Sequence, residues 1–138
     1  MEPAQLSEEA LAAMRAGGVW VPSPLALDMD KNMLEDWQRL LTLYYLRSGA
    51  RTVIPGAHTG EFAGSDLGLY ERWLRLVREM FDSYGDENTF LMAAVGGGQA
   101  RRQAELAAEA GFDIVMVAPT AFTDMDDDGV MEVLRDIT

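Results

Sequence analysis

Four segments of strand length recur along this chain, and each is followed by a segment whose apolar residues have helical spacing. The strand-like segments are residues 19–27, 50–55, 89–95 and 112–118. The last three are largely apolar, which is typical of strands that are buried on both faces of a parallel sheet. Parallel neighbours need a crossover connection, which is usually a helix on a right-handed path. The sequence therefore predicts an α/β protein of four consecutive βα units.

A short helix is expected before the first unit. Ser7 is a suitable cap for a helix that extends to Arg15, and Gly17 with Gly18 ends it. Residues 1–17 are thus predicted to be a helical lead-in, and residues 18–138 to hold the four βα units. A length of 138 residues fits one domain of ordinary size.

The second and third helices carry clear apolar stripes. Asn32 and Glu35 resemble a capping box at the start of the second helix, and Asp66 is the expected cap of the third. We expect all three tryptophans to be core residues rather than ligand platforms. The stripes are Leu34, Trp37, Leu40, Leu41 and Tyr44 in the second helix, and Leu69, Trp73, Leu76, Val77 and Met80 in the third.

Two architectures fit this order of elements. One is half of a (β/α)8 TIM-type barrel, and the other is a small open parallel sheet. Periodicity alone does not separate them. In both, the loops that follow the carboxyl ends of the strands are the expected place for a ligand.

Charge and composition narrow the possible partners. The net charge is −12, which disfavours nucleic acids and anionic membrane surfaces because both need clustered Lys and Arg. Charges interrupt every apolar run, so no membrane span is predicted. There is no cysteine, and the acidic N-terminus lacks the pattern of a signal peptide, so a cytoplasmic protein is expected. A small molecule is the expected partner, and no cofactor is predicted.

The loop after the second strand-like segment is the strongest candidate site. Pro55 ends the apolar run, and a glycine-framed loop follows with the only histidine, His58, beside Thr59. Backbone N–H groups and small polar side chains converge where a strand passes into a helix, and this geometry suits a carboxylate or a phosphate. The alternative is a turn that needs only its glycines, with His58 exposed and idle.

Two further motifs invite a functional interpretation. Residues 96–98 are three glycines between a strand and a helix, but they lack the Lys and Ser/Thr of a phosphate-binding Walker loop. We interpret Gly96 and Gly97 as shaping the site by keeping space open above the sheet. Residues 124–129 match the first half of an EF-hand calcium loop, yet Arg135 occupies the position of its bidentate glutamate. These acidic residues are instead expected at a helix N-terminus, and no metal site is predicted.

Taken in order, the motifs resemble the dihydrodipicolinate synthase / N-acetylneuraminate lyase family of class I pyruvate-type aldolases. Residues 56–61 are similar to the family's Gly-Thr/Ser-Thr-Gly-Glu loop, with one inserted position. Residues 93–97 are similar to its Ala-Gly-Val-Gly-Gly segment. Residues 118–122 resemble the end of the family's fourth strand. Ser23 and Pro24 resemble the Thr-Pro near the end of its first strand. The resemblance extends from about residue 19 to the end of the sequence.

The resemblance implies an eight-unit barrel, of which this chain supplies the first four units. It implies that Thr59 contacts the carboxylate of a 2-oxo acid such as pyruvate, with Gly56 and Gly60 shaping the loop. His58 takes the place of the first hydroxyl residue of the family's pair and is a candidate catalytic residue. In the family a lysine on strand six forms a Schiff base and a tyrosine on strand five relays protons, so both belong to later units than these.

Three hypotheses follow. The chain is the N-terminal half of an aldolase-type lyase, a non-catalytic half-barrel that forms homo-oligomers or binds a partner, or an open-sheet domain that binds a small anion.

Four barrel strands with helices on one side leave the inner face bare, which is a larger apolar patch than a soluble monomer tolerates. The only lysine, Lys31, follows Asp28 and Asp30 in a polar turn, so we do not expect it to form a Schiff base.

Overall fold

A computed structural model describes residues 6–59 and 66–137. It confirms the predicted alternation of strands and helices. Short 3₁₀ turns at Gly97–Gln99 and Pro119–Phe122 follow the third and fourth strands. The elements in chain order are α1 Glu8–Arg15, β1 Val19–Pro22, α2 Glu35–Arg47, β2 Ala50–Ile54, α3 Leu67–Tyr84, β3 Met92–Val95, α4 Ala100–Glu109, β4 Ile114–Val117 and α5 Asp127–Ile137.

The strands run parallel in chain order. β1 pairs with β2, and β3 pairs with β4, both in parallel. Two backbone hydrogen bonds join β2 to β3: Phe90 N donates to Arg51 O at 3.0 Å, and Ala94 N donates to Pro55 O at 2.8 Å. The two donors lie four residues apart and so do the two acceptors, as parallel neighbours require. The strand order is therefore β1-β2-β3-β4.

The four helices that follow the strands form one layer. Arg39 on α2 pairs with Glu79 on α3 at 2.9 Å, and Arg101 on α4 pairs with Asp136 on α5 at 2.7 Å. Arg78 on α3 donates to the carbonyl oxygen of Gly111, just after α4, at 2.9 Å. Each helix thus lies beside the next, as in one side of a barrel. An open sheet with βα crossover helices on both faces is excluded.

The main core lies between this helix layer and the sheet. α3 begins at its predicted cap, where Asp66 Oδ1 accepts a hydrogen bond from Leu69 N at 2.9 Å. Its predicted stripe is buried, and Trp73 is fully so. The stripe packs against Val53 of β2 and Ala93 of β3. Because α3 contacts sheet and helices on both flanks, it is the centre of the structure.

The lead-in helix α1 covers part of the opposite face of the sheet. Ser7 caps it, as predicted, by accepting from Ala10 N at 3.1 Å. Ala10 and Ala13 pack against Ile54 and Met92, whose side chains point away from the helix layer. The expectation of a wholly bare inner face was therefore wrong, because α1 occupies it. Side chains at its margins stay partly open, with Trp20 39% and Met116 41% exposed.

Two local predictions near β1 were wrong. The first strand ends at Pro22 rather than at residue 27, because the prolines at 22 and 24 lack the N–H that a ladder needs. Asn32 is not a helix cap: its backbone N–H and side-chain amide donate to Asp28, at 2.8 and 3.1 Å, and so close a turn. α2 instead begins at Glu35 after Leu34, whose side chain cannot cap it.

The apolar stripe of α2 faces outward. Trp37 is 65%, Leu40 57% and Tyr44 66% exposed, so the expectation that Trp37 is a core residue was wrong. The side of α2 that faces the sheet buries the polar residues Gln38 and Thr42. α2 buries this side because Gln38 forms hydrogen bonds there. Its Oε1 accepts from Ala26 N at 2.8 Å.

Candidate functional site

A cavity of about 640 Å³ opens at the carboxyl ends of β2, β3 and β4. Three loops surround it, one after each strand. The carboxyl ends of neighbouring parallel strands lie at one edge of the sheet, so loops that are distant in sequence meet here. The cavity is lined by Gly56, Ala57, His58, Tyr70, Ala94, Gly96, Gly97, Gly98, Gln99, Gln103, Ala118, Pro119 and Thr120.

The loop after β2 is held against β3 by a glycine and a tyrosine. Gly56 has φ +81°, and a Cβ on it would collide with the carbonyl oxygen of Ala94 and lie 2.7 Å from the Tyr70 ring. The Tyr70 hydroxyl donates to the same Ala94 oxygen at 2.9 Å. Burial raises the pKa of Tyr70, so its phenol keeps the proton that this bond needs. Only glycine lets the loop approach so closely.

The loop after β3 is fixed by a side chain from α4. Gly96 N donates to Gln103 Oε1 at 2.8 Å, and Gln103 is 1% exposed. A Cβ on Gly96 would lie 2.7 Å from Thr120 Oγ1, whereas a Cβ on Gly97 or Gly98 would meet no atom within 4 Å. Gly96 therefore lets the loops after β3 and β4 approach each other, and Gly97 and Gly98 border open space.

The loop after β4 contributes a hydroxyl to the cavity. Ala118 N donates to Val95 O at 2.7 Å and so extends the β3–β4 pairing up to the loop. Thr120 follows Pro119 in a 3₁₀ turn and lines the cavity. Sequence reasoning did not select Thr120, Tyr70 or Gln103 as site residues. A position just after a parallel strand is a signal for Thr120, while the other two lie in helices, where nothing local distinguishes them.

The residues selected from the sequence fall in different places. Gly56, His58, Gly96 and Gly97 line the cavity, and His58 is exposed. The Thr59 hydroxyl points toward β1 and donates to the carbonyl oxygen of Ser23 at 3.1 Å. Gly60 lies outside the described residues. Lys31 is exposed in the turn between β1 and α2 with φ +65°.

The cavity lining, as far as the structure describes it, contains no Asp, Glu, Lys or Arg. Its polar groups are backbone amides and carbonyls, the His58 ring, the Tyr70 and Thr120 hydroxyls and two glutamine side chains. Hydrogen-bond donors of this kind can hold a carboxylate without a full positive charge nearby. The imidazole of His58 is both a donor and an acceptor of hydrogen bonds.

The acidic segment before α5 has a structural role. Asp126 Oδ1 accepts from Gly129 N at 2.9 Å and so supports the first turn of the helix. Within residues 6–59 and 66–137 no group of three or more His, Cys, Asp or Glu residues is placed to hold a metal ion. Nor does that part of the chain include a helix long and apolar enough to cross a membrane.

The fold defines the first half of a TIM-type barrel with a cavity at the strand ends. Solved structures with this fold include two dihydrodipicolinate synthases. The one from Oceanobacillus iheyensis is 18% identical with a TM-score of 0.76, covering 94% of this chain and 43% of its own. The one from Bacillus anthracis is 18% identical with a TM-score of 0.75, covering 88% of this chain and 41% of its own.

A third similar structure is a prophage protein of the dihydrodipicolinic acid synthase family from E. coli K12, in complex with pyruvate. It is 17% identical with a TM-score of 0.75, and the match covers 88% of this chain and 40% of that protein. The chain thus spans about two fifths of the length of these structures, and at such low identity the likeness establishes the fold. No protein-family model and no curated protein matches the sequence. The half-barrel predicted from the motifs is confirmed.

Proposed function

We propose that this chain is the N-terminal half of a class I aldolase-type lyase that binds a 2-oxo acid such as pyruvate. The observation that carries the proposal is the cavity at the ends of β2, β3 and β4, whose described lining offers uncharged hydrogen-bond donors. A carboxylate in that position accepts from the backbone amides of the loops after β2 and β3. The pyruvate complex of the E. coli neighbour gives the substrate class its chemical precedent.

The loop after β2 is proposed to hold the carboxylate. Thr59 ties this loop to the end of β1 through Ser23 O. Its proposed contact with the oxo acid requires the hydroxyl to exchange this carbonyl for the carboxylate. Gly56 shapes the loop around the ligand. His58 borders the cavity and is proposed to exchange protons with the substrate. Gly97 leaves room for the ligand's carbon atoms, and Gly96 lets Thr120 approach the edge of that space.

The covalent step needs a neutral amine that this half does not provide at the cavity. Lys31 is the only lysine in the sequence, and its exposed turn gives none of the desolvation that makes an amine nucleophilic. We propose that the amine and the proton-relay tyrosine come from the complementary half of the barrel. This half then contributes carboxylate binding and orientation. The cytoplasm remains the proposed location.

Titration of the chain with pyruvate, followed by NMR of the backbone amides, tests the proposal. We expect pyruvate to shift the amides of residues 56–59 and 96–98, and Thr59→Val to weaken binding by roughly tenfold, the loss of one charge-assisted hydrogen bond. Ser48→Ala is the matched control, because its hydroxyl also donates to a backbone carbonyl, Tyr44 O at 2.7 Å, but beyond the other end of β2. Shifts confined to other regions, or equal affinity in Thr59→Val, would contradict the assignment.

Borohydride reduction in the presence of pyruvate separates the lyase half from a simple anion-binding domain. The chain alone should bind pyruvate without a stable adduct at Lys31, which intact-mass and peptide mass spectrometry will reveal. Inorganic phosphate provides the comparison ligand. If phosphate binds these loops and pyruvate does not, the non-catalytic anion-binding alternative replaces the oxo-acid proposal.

A further inference from the structure

The hydroxyl groups of Tyr70, Thr59 and Thr120 differ in what they already bind. The Tyr70 hydroxyl donates to Ala94 O at 2.9 Å, and the Thr59 hydroxyl donates to Ser23 O at 3.1 Å. Within residues 6–59 and 66–137, no hydrogen bond involves the side chain of Thr120, which lines the cavity and is exposed. Thr120 can therefore bind a ligand without first giving up a partner in the chain.

The turn that carries Thr120 is fixed from several sides. Pro119 occupies the first position of the 3₁₀ turn, where its ring presets the backbone angle φ. Ala121 N donates to Ala118 O at 3.0 Å and closes the turn, and the Ala121 side chain is buried beside Val95. The branched Thr120 side chain itself has few rotamers. Its hydroxyl is thus placed before a ligand arrives, which lowers the cost of ordering on binding.

The Thr120 hydroxyl lies above Gly96, at the edge of open space. A Cβ on Gly96 would lie 2.7 Å from Thr120 Oγ1 and 3.0 Å from the Ala118 side chain. Gly96 has an extended backbone with φ −175°, so glycine is needed there for space and not for conformation. Gln103 Oε1 holds Gly96 N at 2.8 Å. A Cβ on Gly98 would meet no atom within 4 Å, so the cavity opens just beyond this contact.

Pyruvate alone makes no use of a hydroxyl on the β4 side of the cavity. A threonine hydroxyl can donate one hydrogen bond and accept two. When the carboxylate of pyruvate lies at the loop after β2, the atom farthest from it is the methyl carbon, which can neither donate nor accept. β3 lies between β2 and β4, so Thr120 is on the far side of the cavity from that loop. A longer ligand with a hydroxyl beyond the methyl position would use both capacities of Thr120.

We infer that Thr120 is a specificity-determining residue whose hydroxyl binds the C4 hydroxyl of a longer 2-oxo acid. This assignment rests on the proposed function, because addition of pyruvate to an aldehyde joins C3, the former methyl carbon, to the aldehyde carbon. The aldehyde oxygen gains a proton and becomes the hydroxyl on C4. That hydroxyl lies one carbon beyond the end of pyruvate. Thr120 therefore favours the hydroxylated acid over 2-oxo acids that lack this group.

Two ligands with the same carbon skeleton isolate the contact. 4-Hydroxy-2-oxopentanoate and 2-oxopentanoate differ only in the C4 hydroxyl, and we call the ratio of their dissociation constants the hydroxyl preference. NMR titration of the chain should show that the hydroxylated acid binds roughly three- to tenfold more tightly, the gain of one hydrogen bond. Both acids should persist during the titration, because Lys31, the only lysine, is not part of the described lining.

Three variants test whether the preference comes from the Thr120 hydroxyl. Thr120→Val keeps the shape of the side chain and should reduce the hydroxyl preference to about one, whereas Thr120→Ser retains the hydroxyl and should keep most of the preference. Thr123→Val is the matched control, because it removes a hydroxyl from the end of the same turn, outside the described lining. Both positions are exposed, so these changes should leave the fold intact.

Gly96→Ala tests the position of the hydroxyl by a second route. The added methyl group would lie 2.7 Å from Thr120 Oγ1 and displace it. We expect this variant to lose the hydroxyl preference although Thr120 is still present. A preference that Gly96→Ala leaves unchanged would contradict the placement of the contact beside Gly96.

The outcomes distinguish this inference from the proposed function. No hydroxyl preference in the original chain, or a preference that persists in Thr120→Val, would overturn the role of Thr120. If pyruvate and 2-oxopentanoate shift the amides of residues 56–59 and the C4 hydroxyl adds nothing, the proposed function stands and this inference fails. If none of the three acids binds these loops, both fail.

Discussion

α2 and α3 carry similar apolar stripes, each with a tryptophan as its second member, but one stripe is exposed and the other is buried. Trp73 of α3 is fully buried, and Trp37 of α2 is 65% exposed. α3 has a helix on each side and the sheet beneath it, so its apolar residues are enclosed. Among the helices that the structure describes, α2 has a neighbour on one side only, and its exposed apolar residues lie away from that neighbour. Position in the helix layer, rather than the pattern itself, decides which stripe becomes core.

The comparison extends to the polar residues of the two helices. α2 buries Gln38 against the segment after β1, where Ala26 N donates to it at 2.8 Å. α3 turns the Tyr70 hydroxyl toward the sheet, where it donates to Ala94 O at 2.9 Å beside the cavity. α2 thus anchors the first strand, and α3 supports the candidate site.

The largest expected difference between the helices is in the free energy of unfolding. Trp73→Ala should cost about 3–5 kcal/mol, because it removes a fully buried indole from the core. Trp37→Ala should stay within about 0.5 kcal/mol at low protein concentration. Urea unfolding followed by far-UV circular dichroism measures both without relying on tryptophan fluorescence. Equal losses would mean that Trp37 is enclosed as fully as Trp73.

An exchange of polar and apolar residues within α2 should give the next largest effect. Gln38→Leu should cost about 1–3 kcal/mol, because it leaves the Ala26 N–H without its acceptor. The reverse change on the exposed side, Leu40→Gln, should alter stability by less than about 0.5 kcal/mol. The same unfolding measurement applies to both. If Gln38→Leu stabilised the chain, apolar packing on the sheet-facing side would outweigh the lost hydrogen bonds.

The smallest effect is expected from removing single hydroxyl groups. Tyr70→Phe should cost about 0.5–1.5 kcal/mol through the lost hydrogen bond to Ala94 O, and Tyr44→Phe should have no measurable effect. Hydrogen exchange sharpens the comparison, because Tyr70→Phe should speed exchange of the amides around Gly56 and Ala94. Unchanged exchange there would show that packing of the ring alone positions the loop.

Sequence reasoning was most successful where the signal is local. The βα order followed from apolar runs that alternate with helical periodicity, and Ser7 and Asp66 cap their helices because a short polar side chain reaches the third amide beyond it. It failed at Asn32, which matches a capping box but closes a turn with Asp28 instead. Asn32 could take part in either of two local motifs, a capping box or a turn. It forms the turn, inside which Lys31 has a positive φ.

The candidate site was predictable only in part. Gly56, His58, Gly96 and Gly97 line the cavity as the strand–loop–helix pattern indicated, because loops after parallel strands lie on one edge of the sheet. Tyr70 and Gln103 reach the same cavity from the first turns of α3 and α4. Their roles depend on contacts with Ala94 and Gly96, to which no spacing along the chain relates them.

The sequence by itself determined the elements, their order and the parallel sheet, because hydrophobic periodicity and end-capping act over a few residues. Only the tertiary structure decided which side of α2 is buried and where α1 lies. Both outcomes depend on which neighbours are present: α2 turns Gln38 inward to pair with the segment after β1, and α1 covers an inner face that four strands cannot enclose. Burial depends on how the layers assemble, so a pattern of apolar residues does not by itself predict which element will cover them.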